Sequence, residues 1–211
     1  MSDQLPQDFA GWWNLPGEWV ETPNERRGGW SGMMRARIGD AVYYVKKQHN
    51  HLYRTWRHPL GWPTTDREHA NVRRLQALGV GTPEVVFNGV QRSADGLDGV
   101  LVTKELQGYA DLAAQQGLSA EQKQRLAQAV GALVGRMHRA HLQHSCLYDK
   151  HIMVRWAGET PEVALIDLEK LRIPYLPWRA ARHDLDQLRR HQQLWNESEW
   201  TVLLAAHAAA K

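Results

Sequence analysis

Apolar positions follow two rhythms along this chain, and the change between them falls near its middle. In the first half short runs alternate: Met33 to Arg37 and Ala41 to Lys46 read as strands joined at Gly39-Asp40, and Glu84 to Val90 and Gly99 to Glu105 as two more joined through Asp95-Gly96. Ahead of the first pair, Arg26 to Gly32 reads as a turn built on Gly28, Gly29 and Gly32. One helix interrupts the strands, from about Asp66 to Leu78. Thr65 and Glu68 stand at capping-box spacing, Val72 and Leu75 share a face, and Gly79 is the stop.

In the second half the period lengthens. Ser119 and Gln122 open a helix from Ala120 to about His141, whose Leu126, Val130, Leu133, Val134 and Met137 recur at helical spacing and imply a second core. A loop from Gln143 to Lys150 leads to two short strands, Ile152 to Val154 and Val163 to Ile166, around an Ala157-Gly158 turn. Helices from about Ala180 to Trp195 and Ser198 to Ala210 follow. The expected architecture is α+β: a small β-rich lobe with one helix to about residue 105, and a reduced helical lobe from about 106 to 211, within one domain.

Composition narrows the function. Hydrophobic residues at 43% and charged residues at 23% are ordinary for a soluble globular chain, and no run is apolar enough to span a bilayer. Met1 to Phe9 lacks the features of a secretory signal, and the single cysteine, Cys146, excludes an internal disulfide; a cytoplasmic protein is expected. The eleven histidines do not fall into a zinc-protease spacing. The net charge of +3 matters less than its distribution. From Ala41 to Thr65 there is no acidic residue, while Lys46, Lys47, Arg54, Arg57, His49, His51 and His58 sit there with Tyr53 and Trp56. Such a basic, aromatic segment suits an anionic partner. No nucleic-acid-binding motif accompanies it, so nucleic acid is not the expected partner.

The polar residues then fall in the order glycine turn, strand lysine, helix glutamate, loop and aspartate, which is the order of protein-kinase parts. Glycines let backbone N–H groups approach phosphates, although the same turn also serves as a plain hairpin. Lys46 ends the strand Tyr43-Tyr44-Val45-Lys46, where a kinase aims an ammonium at phosphates; alternation sends Lys47 to the opposite face. The other reading of Lys46 is an exposed edge lysine. Glu68 shares the face of Val72 and Leu75, so it can hold Lys46 or complete the Thr65 capping box. Glu105 closes the last strand of the first half, where an adenine would meet the backbone.

His144-Ser145-Cys146-Leu147-Tyr148-Asp149-Lys150-His151 has the length of the loop His-Arg-Asp-Leu-x-x-x-Asn, and Ile166-Asp167-Leu168-Glu169 stands in the place of Asp-Phe-Gly. Asp167 is then the Mg²⁺ ligand or a loop-capping acid. His151 takes the second-metal position or is structural. Cys146 stands where a kinase carries its aspartate base; a thiol is a weak acceptor, so Cys146 serves only with help from a cation such as Lys150, or Asp149 replaces it, or the cysteine merely packs.

The spacing from Lys46 to Glu68, the stretch from Asn71 to Glu84, His151-Ile152-Met153 and Asp167-Leu168-Glu169 resemble the lipopolysaccharide kinases of the Kdo/WaaP family, especially their InaA branch, over roughly Gly28 to Arg190. The resemblance implies a two-lobe protein-kinase-like fold, ATP with Mg²⁺, and phosphorylation of a sugar hydroxyl on lipopolysaccharide core or a related anionic glycolipid. It also implies peripheral work at the inner membrane. Lys46, Glu68 and Asp167 match the family's lysine, helix acid and metal acid, whereas active members carry aspartate at the position of Cys146. Two alternatives stand beside this reading: a pseudokinase that binds nucleotide or partners without turnover, and a small-molecule kinase with another acceptor.

Overall fold

The computed structural model describes residues 4–26, 28–56 and 58–210. It divides into two units, Met1–Val72 with Pro83–Leu106, and Arg73–Thr82 with Gln107–Lys211. The sequence reading divides the chain once, near residue 105, and does not contain the allocation of 73–82 to the second unit. That allocation has a backbone cause: Gly81 bridges Ala164, and Leu165 N–H donates to Gly81 O at 2.8 Å.

The first unit is built on a five-stranded antiparallel sheet. Its strands are β1 (Glu18–Arg26), β2 (Gly29–Ile38), β3 (Ala41–His49), β6 (Val85–Ser93) and β7 (Gly96–Lys104), in the order β1-β2-β3-β7-β6. Alternation gives the sheet two faces. Met34, Ala36, Ile38, Tyr43, Val45, Val100 and Val102 form a core with Trp12 of the short helix α1 (Phe9–Trp13). Lys47 follows Tyr43 and Val45 on that covered side, and its Nζ donates to Leu15 O at 3.3 Å. Burial lowers the pKa of this lysine. Lys46 points to the opposite face.

Two features of this unit depart from expectation. The basic segment is not an undivided surface stretch: β4 (Leu52–Thr55) and β5 (His58–Pro63) pair as a separate hairpin. The helix, α2, runs Thr64–Ala77, so Thr65 lies inside it and its Oγ1 has no hydrogen-bond partner. The Thr65–Glu68 capping box is therefore not formed. Thr64 takes the contacts at this end, donating to Gln48 Oε1 at 2.6 Å.

The second unit packs α3 (Ala120–Arg139) against α5 (Glu197–Ala209), with α4 (Ala180–His191) and a three-stranded sheet of β8 (Ala110–Asp111), β9 (Ile152–Ala157) and β10 (Thr160–Leu165), ordered β10-β9-β8. Ser119 and Gln122 make the reciprocal capping box at the start of α3, and Leu126, Val130, Leu133, Val134 and Met137 are all buried. No described helix is long and apolar enough to cross a membrane.

Candidate active site

In the first unit the chemistry starts from β3, which lies between β2 and β7. Lys46 is thus on a central strand, not at an edge. Its Nζ donates to Glu68 Oε2 at 2.7 Å, and both side chains are 11% exposed. Two charges at that depth hold each other strongly because little water screens them. Of the two readings left open for Glu68, the pair with Lys46 is the one the structure contains.

The glycine turn is tighter than the sequence reading. β2 already begins at Gly29, which leaves Gly28 ahead of the strand, with a φ of 79° in the left-handed region glycine favours; Arg27 lies outside the described residues. Gly29 and Gly32 are strand residues with a packing reason: an added Cβ would lie 2.3 Å from His49 O at the first and 2.7 Å from Trp19 Cζ3 at the second. Gly32 pairs with Lys47 and Met33 with Lys46, which puts the turn just beyond the lysine along the sheet. At the far end of the same strand pair, Glu105 N–H donates to Val42 O at 2.9 Å, and Arg35 Nη2 meets Glu105 Oε1 at 3.4 Å.

In the second unit one buried carboxylate organises the loop. Asp184 of α4 accepts from His144 N–H at 2.6 Å and from Ser145 N–H at 3.0 Å, and His138 Nε2–H donates to it at 3.1 Å. Burial would raise the Asp184 carboxyl, but the hydrogen bond and charge of His138 and the loop N–H together outweigh it and hold it below its usual range. The grip carries Ser145 through a left-handed φ of 72°. His144 Nε2 then donates to Ile166 O at 3.0 Å, tying the loop to the residue before Asp167; burial lowers the His144 pKa.

Asp167 is also left-handed, with φ 57° and ψ 57°, and its side chain is 38% exposed. A non-glycine residue held there is uncommon and tends to mark a site. His151 Nδ1 donates to Cys146 O at 2.7 Å, which turns Nε2 toward Asp167 Oδ2 at 3.6 Å. A ring nitrogen facing a carboxylate needs positive charge, supplied by a ring proton or by a cation that takes both as ligands. No larger cluster of three or more metal-ligating side chains exists among the described residues. Cys146 is 8% exposed and contributes its carbonyl to His151 and to Tyr148 N–H. Asp149 opens the 3₁₀ turn Asp149–His151 and accepts from Lys150 N–H at 2.9 Å.

Sequence reasoning missed Asp184 and His138. The available signal was positional: Asp184 shares the buried face of α4 with Ala180, Gln187 and Leu188, and an acid on such a face needs partners.

The chain as a whole has counterparts among known proteins. The model of the lipopolysaccharide kinase (Kdo/WaaP) family matches residues 10–207. Protein InaA of Escherichia coli is 34% identical over 208 residues, 96% of each chain. A solved structure of WaaP in complex with acyl carrier protein matches 96% of this chain and 82% of its own, with a TM-score of 0.73 at 23% identity, and speaks for the fold. The sheet-bearing unit with its lysine and helix acid, and the helical unit with its loop, are thus the two parts of a protein-kinase-like α+β fold, and the chain belongs to the lipopolysaccharide kinase (Kdo/WaaP) family.

Proposed function

We propose that the protein is an ATP-dependent phosphotransferase whose acceptor is a sugar hydroxyl on lipopolysaccharide core or a related anionic glycolipid. The observation that carries this reading is the Lys46–Glu68 pair at 2.7 Å, a buried cation held in place by an acid from α2. Lys46 binds the α and β phosphates of ATP, and Glu68 fixes its direction. The backbone at Gly28, Gly29 and Gly32 covers the phosphates, and the chain at Glu105 borders the adenine.

Asp167 would hold Mg²⁺, which binds through one or two carboxylates and completes its shell with phosphate and water, and His151 would reach the ion through one of those waters. Bound there, the ion would offset charge on the transferring phosphoryl group. The protein's own work is then positioning and proton removal. As the acceptor oxygen bonds to the γ-phosphorus and the bridge to the β-phosphate breaks, the hydroxyl proton passes to Asp149, and ADP leaves. Asp149 rather than Cys146 is assigned this role because its carboxylate, on the half-buried turn, is the stronger acceptor.

A second reading rests on Cys146 itself. A buried thiol in the base position fits a protein that binds nucleotide without transferring phosphate. Thermal-shift titration with ATP and Mg²⁺, followed by ATP turnover with and without lipopolysaccharide core, separates the two. Stabilisation with core-dependent turnover supports the kinase, and stabilisation alone supports the pseudokinase. The expected setting is the inner face of the cytoplasmic membrane, with the basic β4–β5 hairpin as one anionic contact; Trp56 and Leu60 stand exposed on it.

A further inference from the structure

The chain that follows Asp167 carries an unassigned surface. Arg172 is locked to the loop by a reciprocal backbone pair, Gln143 N–H to Arg172 O at 2.8 Å and Arg172 N–H to Gln143 O at 3.0 Å. At the other end Ala180, the first residue of α4, is buried. Between these anchors Pro174 and Pro177 bar a regular helix or strand, and only the 3₁₀ turn Pro177–Arg179 forms. The segment is an arc fixed at both ends, and its large side chains face outward. Ile173 is 58% exposed, Trp178 73% and Tyr175 99%.

Solvent gains nothing from three such side chains grouped together, and grouping of this kind marks a contact surface. The charges around them state the partner. Lys170, Arg172, Arg179 and Arg182 are all exposed, and no acidic residue occurs between Glu169 and Asp184. Asp184 is buried and committed to His138 and the loop, and of the neighbouring acids Asp186 pairs with Arg182 at 3.7 Å. Tyrosine and tryptophan ringed by arginine and lysine are the composition of a membrane interface, with rings at headgroup level and cations on lipid phosphates.

We infer that residues 170–182 dock the second unit on an anionic lipid bilayer, with Ile173, Tyr175 and Trp178 entering the interface and the four cations meeting phosphate headgroups. The inference deepens the proposed function by giving an amphiphilic acceptor a route to the Asp167 end of this unit. The contact itself is measurable without turnover, so each can fail alone.

The test is co-sedimentation of the full chain with phosphatidylglycerol vesicles and with phosphatidylcholine vesicles, over a series of salt concentrations. Wild type is expected to favour the anionic vesicles, with partitioning that falls steeply with salt. Tyr175→Ser with Trp178→Ser should lower partitioning about tenfold, and Arg172→Glu with Arg179→Glu should remove most of its salt dependence. All four side chains are exposed, so melting temperatures should match wild type. Trp56→Ser with Leu60→Ser, on the β4–β5 hairpin, tests whether the contact lies elsewhere. Loss of partitioning in that variant alone, with the 170–182 variants unaffected, overturns the inference. So does absence of vesicle binding by wild type. Retention of wild type on immobilised polyglutamate without vesicle binding would assign the surface to an acidic protein instead and likewise overturn it.

Discussion

The two half-sites are assembled to different degrees. In the first unit Lys46 and Glu68 already make a 2.7 Å pair, each 11% exposed, on a central strand. In the second, Asp167 is 38% exposed, His151 stands 3.6 Å from it, and the position that the sequence reading gives to the kinase base holds a buried thiol, Cys146. The scaffold behind that second half is nevertheless as tightly built as the first, with Asp184 holding two loop N–H groups and two left-handed residues, Ser145 and Asp167, maintained against their preference. The difference lies in one side chain rather than in the framework, so on the proposed reading nucleotide binding and phosphate transfer can be lost separately.

The largest expected effect tests that separation directly. With Asp149 as base, Asp149→Asn should cut turnover about 10²-fold or more, while Cys146→Ser leaves it nearly intact. The opposite pattern would give the role to the thiol. If wild type binds ATP without turnover, Cys146→Asp should restore some, and failure of that variant with nucleotide bound leaves the pseudokinase reading standing.

Next in size is nucleotide affinity. Lys46→Met removes a charge-assisted contact to phosphate and should weaken ATP binding about tenfold or more, measured by calorimetry. Lys47→Met should change it less than about twofold, because alternation turns that side chain to the α1 side of the sheet. Equal losses would mean that the face assigned to the nucleotide is wrong.

What was legible beforehand follows the same division. Lys46 and Glu68 could be read because strand alternation and helix periodicity each fix a direction, and the two directions converge. The stripe on α3 could be read for the same reason. Gly29 and Gly32 misled because a glycine required by a neighbouring backbone looks the same in sequence as a glycine required by a turn. Thr65 and Glu68 matched a capping box, yet the helix begins two residues earlier than that box required, at Thr64. Asp184 escaped notice because its partners, His138 and the His144–Ser145 backbone, are distant in sequence and no local pattern predicts them. The 170–182 arc has two prolines and no period, so only its exposure revealed it.

A smaller effect is expected at the first unit's surface. Arg54→Glu on β4, made together with Arg57→Glu, whose position lies outside the described residues, should reduce association with anionic vesicles severalfold at low salt, with the difference fading as salt rises. Association of this variant equal to that of wild type would remove the hairpin from the membrane contact and leave that role to the second unit.

The smallest effect probes the scaffold behind the loop. His207 of α5 has its Nε2 2.9 Å from His138 Nδ1, in a hydrogen bond that ties α5 to the ring donating to Asp184. Burial, with His138 and Arg139 adding to it, pushes the His207 pKa down to about 4. The unfolded chain therefore binds a proton at this histidine below about pH 6.5 that the folded chain refuses until about pH 4, and stability must fall as pH drops through that window. Partial exposure of His207 reduces the full shift to about 1–2 kcal/mol. His144, whose pKa burial also lowers, loses stability in the same direction, whereas the depressed Asp184 carboxyl keeps its full stabilising effect through this window and begins to lose it only below its usual value of 3.8. Urea denaturation between pH 7 and pH 4 should thus show a decline in wild type that His207→Gln makes shallower without abolishing. An unchanged slope in that variant would mean that His207 takes up its proton in the folded protein, and that the chain from α5 through His138 to Asp184 does not hold the loop in the way its geometry requires.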